Sequence, residues 1–94
     1  MPAIGVLTLE IVLQNAHSLK DKRHVVKSLK DRLRGKFNVA VAEIDYQDLW
    51  QRAAVAVVTV ASEHEHAGKV LQSVEEEASA LLGPELAGAT VEWL

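Results

Sequence analysis

The amino-acid sequence predicts an α+β sandwich of βαββαβ order, a four-stranded antiparallel sheet with two helices on one face. Three observations carry this prediction. Apolar residues alternate over residues 3–13, 37–45 and 49–61, as in half-buried strands. They recur at three-to-four spacing over residues 18–34 and 62–82, as in amphipathic helices. The order repeats one βαβ pattern, and right-handed crossovers place both helices on the same side. With 94 residues there is room for one core and a single domain over residues 1–94.

In the first strand, Leu7, Leu9, Ile11 and Leu13 fall on one face, with Val6, Thr8, Glu10 and Val12 on the other. Ser18 is the N-cap of the first helix, and Asp21 stands where a capping box places its acid. Val26, Leu29 and Leu33 form the apolar seam, and Gly35 is expected to end the helix. The second strand presents Phe37, Val39 and Val41, and Tyr46-Gln47-Asp48 turns the chain into a third strand apolar on both faces. Ser62 and Glu65 are read as a second capping box, opening a helix with Ala67, Val70, Leu71, Val74, Ala78 and Leu81 inward. Gly83-Pro84 stops it, and residues 88–94 form the last strand. This is the split arrangement of ferredoxin-like folds.

Composition excludes several classes. There is no cysteine, hence no disulfide framework and no thiolate chemistry. No run approaches the roughly 18 apolar residues of a membrane span, and no signal peptide is read, so a soluble cytoplasmic protein without a membrane partner is expected. The net charge of −3 argues against general nucleic-acid binding, and no DNA partner is expected. The distribution says more. Residues 20–36 hold eight of the ten Lys and Arg against Asp21 and Asp31, a local +6, while the rest of the chain sums to −9. At about 100° per residue, Lys20, Arg23, Lys27, Lys30 and Arg34 fall within an arc of roughly 80°. His24, Ser28 and Asp31 take the other exposed flank, and Lys22 and Lys36 lie near the apolar side with stems able to snorkel.

The run SLKDKRHVVKSLKDRLRGKFNVAVAEID, followed by YQDLWQRAAVAV, closely resembles the YlxP-like bacterial proteins, a domain of unknown function. The likeness covers nearly the whole chain, with SLKDKR and DLWQR its distinctive segments. It implies a ferredoxin-like fold and a bacterial cytoplasmic protein whose gene often neighbours translation-initiation and ribosome-maturation genes. The family has no established activity or catalytic residues, and the neighbourhood points to RNA or ribosomes by association only.

Three readings of the basic stripe stand together: a phosphate-tracking surface of Lys20, Arg23, Lys27, Lys30 and Arg34, a solvated face, and pairing with the acidic second helix. Base reading by the sheet is disfavoured, since the only aromatic on its central strands is Trp50, at the start of the third. The apolar sheet face, with Val6, Val12 and residues 53–60, suggests a homodimer, unless edge loops and the Trp50 and Trp93 side chains cover it. In Glu63-His64-Glu65-His66 the two histidines diverge by about 200° on a helix and cannot chelate one metal. Glu65 and Lys69 form an i,i+4 pair instead.

For Asp48-Leu49-Trp50-Gln51-Arg52 the local reading has Trp50 packing over the core edge and Arg52 pairing with Glu43 or Asp45. The functional reading makes Trp50 and Arg52 a contact pair. Acylphosphatases share this fold class and use an arginine in the loop after the first strand, but Gln14-Asn15-Ala16-His17 holds none. Nothing assembles a nucleophile, base and orienting group. The expectation is a non-enzymatic, cofactor-free binding module, docking on RNA or the ribosome through the first helix. The competing expectation is a protein-interaction or small-ligand regulatory module using the sheet face or a dimer cleft.

Overall fold

The computed structural model describes all 94 residues. Strand β1 (Ala3–Val12), helix α1 (Leu19–Lys36), strands β2 (Ala40–Asp45) and β3 (Arg52–Ala61), helix α2 (His64–Leu82) and strand β4 (Leu86–Trp93) follow in order. A short 3-10 turn at Gly83–Glu85 links α2 to β4. The sheet order is β2-β3-β1-β4 with every pair antiparallel, the ferredoxin-like topology. The alternating strand pattern puts Leu7, Leu9 and Ile11 of β1 opposite Val57, Val55 and Ala53 of β3, all under the helices and at most 1% exposed. Val26, Leu29 and Leu33 of α1 and Leu71, Val74 and Ala78 of α2 close this core from above. Truncating a residue such as Leu29 to alanine there costs about 2–5 kcal/mol.

Ser18 caps α1 as the sequence predicts: its Oγ accepts from the Asp21 N–H at 3.1 Å. The Asp21 carboxylate reaches back to the N–H of His17, at 2.9 Å, one residue before the cap. Five local expectations are corrected, the first being that the second strand begins at Ala40 and not at Phe37, which is taken up in ending α1. Gly35 does not end α1; a helical glycine costs only about 1 kcal/mol, and the helix runs on until Phe37 turns extended. The Ser62–Glu65 capping box is not made; Glu63 is the N-cap, with no side-chain cap bond. The third strand begins at Arg52, so the turn before it extends to Gln51, and β4 begins two residues early, at Leu86.

Helix α1 lies over β2 and β3, and α2 over β1 and β3, so the outer flank of α1 borders the free edge of β2. At the other edge, Trp93 is opposite Gly5 on the helix side. Its ring lies 3.7 Å from that of His64. Gly5 is there because a Cβ would meet Leu71 Cδ1 at 2.7 Å and Trp93 Cζ3 at 2.9 Å. Trp93 therefore does not cover the open sheet face. No helix is long and apolar enough to cross a membrane.

Candidate nucleic-acid interface

The seam of α1 meets the sheet, which turns its two flanks in opposite directions. One flank faces α2. There Arg32 Nη1 lies 3.2 Å from Glu77 Oε2, and Lys36 Nζ lies 2.6 Å from Glu77 Oε1. The hydrogen bond from Lys36, reinforced by Arg32, holds the Glu77 carboxyl below its ordinary range. Pairing of α1 with α2 is thus real, but it involves Arg32 and Lys36, neither of them a stripe residue.

The other flank carries the stripe. Lys20, Arg23, Lys27 and Arg34 are exposed and Lys30 half-buried. Arg23, Lys27, Lys30 and Arg34 line a groove of about 450 Å³ between α1 and the β2 edge, with Glu43 at its β2 side. The sequence-based placement of Asp31 on the opposite flank is corrected: it borders the stripe, where it accepts from Lys27 Nζ at 2.6 Å and Arg34 Nη2 at 3.3 Å. The Lys27 hydrogen bond, joined by Arg34, lowers the Asp31 carboxyl. No carboxylate lies within 4 Å of Lys20, Arg23 or Lys30, and no acid of α2 reaches any stripe residue.

Lys22 overturns the snorkelling expectation. Its side chain is 1% exposed, and its Nζ donates to the backbone carbonyls of Tyr46 (2.7 Å), Gln47 (3.2 Å) and Arg52 (3.3 Å). An ammonium has three protons, and these bonds use all of them. Glu43 Oε2 lies 3.0 Å from the same nitrogen and balances its charge. The helix phase carried the signal: Lys22 stands four residues before Val26, on the seam itself.

The loop so fastened, residues 46–51, follows a bulge between Glu43 and Asp45. Tyr46 has φ 62°, the single non-glycine residue in the left-handed region. Asp45 Oδ1 accepts its N–H at 2.8 Å. The Arg52 guanidinium lies 4.1 Å from the Tyr46 ring centroid and donates to Tyr46 Oη at 3.1 Å. Arg52 thus turns to Tyr46 and, at 4.0 Å, to Glu10, not to Glu43 or Asp45 as expected. Glu43 is held by Lys22, and the bulge shifts Asp45 out of register. Trp50 does not pack over the core edge either; it is 51% exposed, beside Leu49 at 47%.

Elsewhere His64 stacks on Trp93, Glu65 pairs with Lys69 at 3.4 Å, and no three potential metal ligands converge. On the open sheet face Ile4, Val6 and Val58 are half-buried and Val60 is 57% exposed.

The topology and layering define the class, a ferredoxin-like α/β sandwich. The chain belongs to the family described as "Protein of unknown function (DUF503)", whose model matches residues 4–88. It is 42% identical over 71 residues to the uncharacterized protein YlxP of Bacillus subtilis (strain 168), covering 76% of this chain and 77% of that protein. Among solved structures, the de novo designed protein Foldit4 superposes with a TM-score of 0.62 at 12% identity, covering 100% of this chain and 97% of the other. A dimeric ferredoxin-like protein of unknown function from Thermobifida fusca gives 0.51 at 18% identity, covering 97% and 90%. At such identities the likeness is one of fold alone.

Proposed function

We propose that this protein is a non-enzymatic binding module that docks on structured RNA, free or in the ribosome, through the outer flank of α1. One observation carries the reading: Glu77 of α2 takes Arg32 and Lys36, and no acid of α2 reaches Lys20, Arg23, Lys27, Lys30 or Arg34, of which Lys27 and Arg34 meet the carboxylate of Asp31 alone. A stripe kept only for solubility gains nothing from this segregation, whereas a polyanion is attracted by a local field of one sign even when the net charge is −3. The stripe spans about 21 Å of helix from Lys20 to Arg34. Docking is electrostatic, through phosphates, without base reading by the stripe. The test is co-sedimentation with ribosomes, and retention on structured RNA, across a salt series. Binding should weaken steeply with salt, and the R23E/K27E/K30E variant should lose retention while keeping its circular dichroism spectrum. Undiminished co-sedimentation of that variant sinks the proposal.

A second proposal rests on the open sheet face. Val60, Val58, Val6 and Ile4, flanked by the exposed Ala40, Ala42 and Ile44 of β2, form an apolar patch that none of the protein's own elements covers. A homodimer through this face buries it and doubles the stripe, which raises avidity for a polyanion. Analytical ultracentrifugation of the protein and of V58K/V60K should give a dimer and a monomer; a monomeric parent at high micromolar concentration overturns it.

A further inference from the structure

The β2–β3 loop has more fastening than a connection requires. Lys22 ties it to α1 at both ends, through Tyr46 and Gln47 on one side and Arg52 on the other. Gln51 ties it to the β1–α1 connection: its carbonyl accepts from Leu13 N–H at 2.8 Å, and its Nε2 donates to Gln14 O at 3.2 Å. Burying a lysine among carbonyls costs desolvation energy that an ordinary surface loop has no need to offset. Yet the segment held so firmly points Leu49 and Trp50 into solvent. Asp48, Leu49, Trp50, Gln51 and Arg52 line an open saucer of about 540 Å³. A backbone already fastened at both ends has less conformational entropy to lose on binding.

We infer that Trp50, on this saucer, is a stacking platform for an unpaired base of the RNA that the α1 stripe holds by its phosphates. The inference rests on the function proposed above and narrows its ligand to RNA with a single-stranded loop or bulge. Position supports it. Lys22, in the first turn of α1 with Lys20 and Arg23, fastens the loop to the N-terminal end of the helix that carries the stripe. Charge supports it too. The Asp48 carboxylate on the saucer repels a phosphate and offers an acceptor to a base amino group. Loops and bulges are where RNA presents bases that can splay out onto aromatic side chains.

The experiment compares a stem-loop RNA with a blunt RNA duplex of the same length, at one salt concentration, by fluorescence anisotropy. Trp50→Ala should weaken stem-loop binding about ten-fold and duplex binding less than about two-fold, with Trp50→Phe retaining most of the affinity. In a Trp93→Phe background, Trp50 emission should be quenched by the stem-loop and not by the duplex. Unchanged melting of Trp50→Ala controls for folding, since this side chain is not part of the core. If Trp50→Ala binds both RNAs as the parent does while R23E/K27E/K30E binds neither, the platform is overturned and the stripe stands. If Trp50→Ala instead converts a dimer to a monomer, Trp50 serves a protein contact and the platform is overturned. If the parent binds neither RNA, both readings fall.

Discussion

Lys22 Nζ sits 2.7 Å from the carbonyl oxygen of Tyr46, the one non-glycine residue with a positive φ, 62°. A left-handed tyrosine costs about 1–2 kcal/mol and persists only where its surroundings over-determine it. Here Asp45 holds the N–H, Lys22 the carbonyl and Arg52 the ring. The relationship joins the start of α1 to the β2–β3 loop and the first residue of β3 through a single buried ammonium.

Removing that ammonium should be costly. Lys22→Ala strands the carbonyls of Tyr46, Gln47 and Arg52 and leaves the Glu43 carboxylate without its counter-charge. The expected loss is about 3–5 kcal/mol, read by urea unfolding. Adding Glu43→Gln should recover part of it, because the uncompensated charge is then gone. A loss below about 1 kcal/mol for Lys22→Ala would contradict the role assigned to the buried bonds.

Gly5→Ala should destabilise by about 1–3 kcal/mol through overpacking. The added methyl meets Leu71, which is 1% exposed and has nowhere to move, and Trp93, which is partly exposed and can tilt outward. In a Trp50→Phe background the emission of Trp93 should shift to the red as the ring leaves His64. Thermal unfolding and fluorescence check the two halves independently.

Two carboxylates give a signed pH dependence. Asp31 is lowered by its hydrogen bond from Lys27, with help from Arg34, and Glu77 by its hydrogen bond from Lys36, with help from Arg32. A depressed folded-state pKa contributes stability that is present above the unfolded value and is lost as pH falls through the folded one. Stability should therefore decline on acidification below the ordinary carboxylate range, not on raising the pH. Glu77→Gln and Asp31→Asn should each flatten the acid limb of a plot of melting temperature against pH. Salt should shrink the effect, because the Lys27, Asp31 and Lys36 side chains are solvent-exposed.

The two flanks of α1 should separate in function. R32Q/K36Q removes two positive charges from the flank facing α2, and R23Q/K27Q the same number from the stripe. The first should lower stability modestly and leave RNA retention near the parent's. The second should lower stability no more than the first, Lys27 giving up its bond to Asp31, and should reduce both retention and its salt slope. Equal losses of retention from the two variants would show that only total charge matters.

The architecture was legible from local pattern, because strand and helix periodicities assign faces residue by residue. Leu7, Leu9 and Ile11 had to share one face, Val26, Leu29 and Leu33 had to meet it, and the five stripe residues had to leave it. Ser18 was legible as a cap because its partner is three residues away. The tertiary fold decided that Arg32, Lys36 and Lys22 are spent on distant partners. Arg32 and Lys36 find Glu77 more than forty residues on, and Lys22 finds carbonyls 24 to 30 residues away. No local period encodes those distances. The same holds for Trp50, which alternation assigns to the third strand. The bulge at β2 and the bonds of Lys22 move it off the strand and into solvent, because satisfying a buried ammonium fixes the path of a loop that the side-chain pattern leaves open.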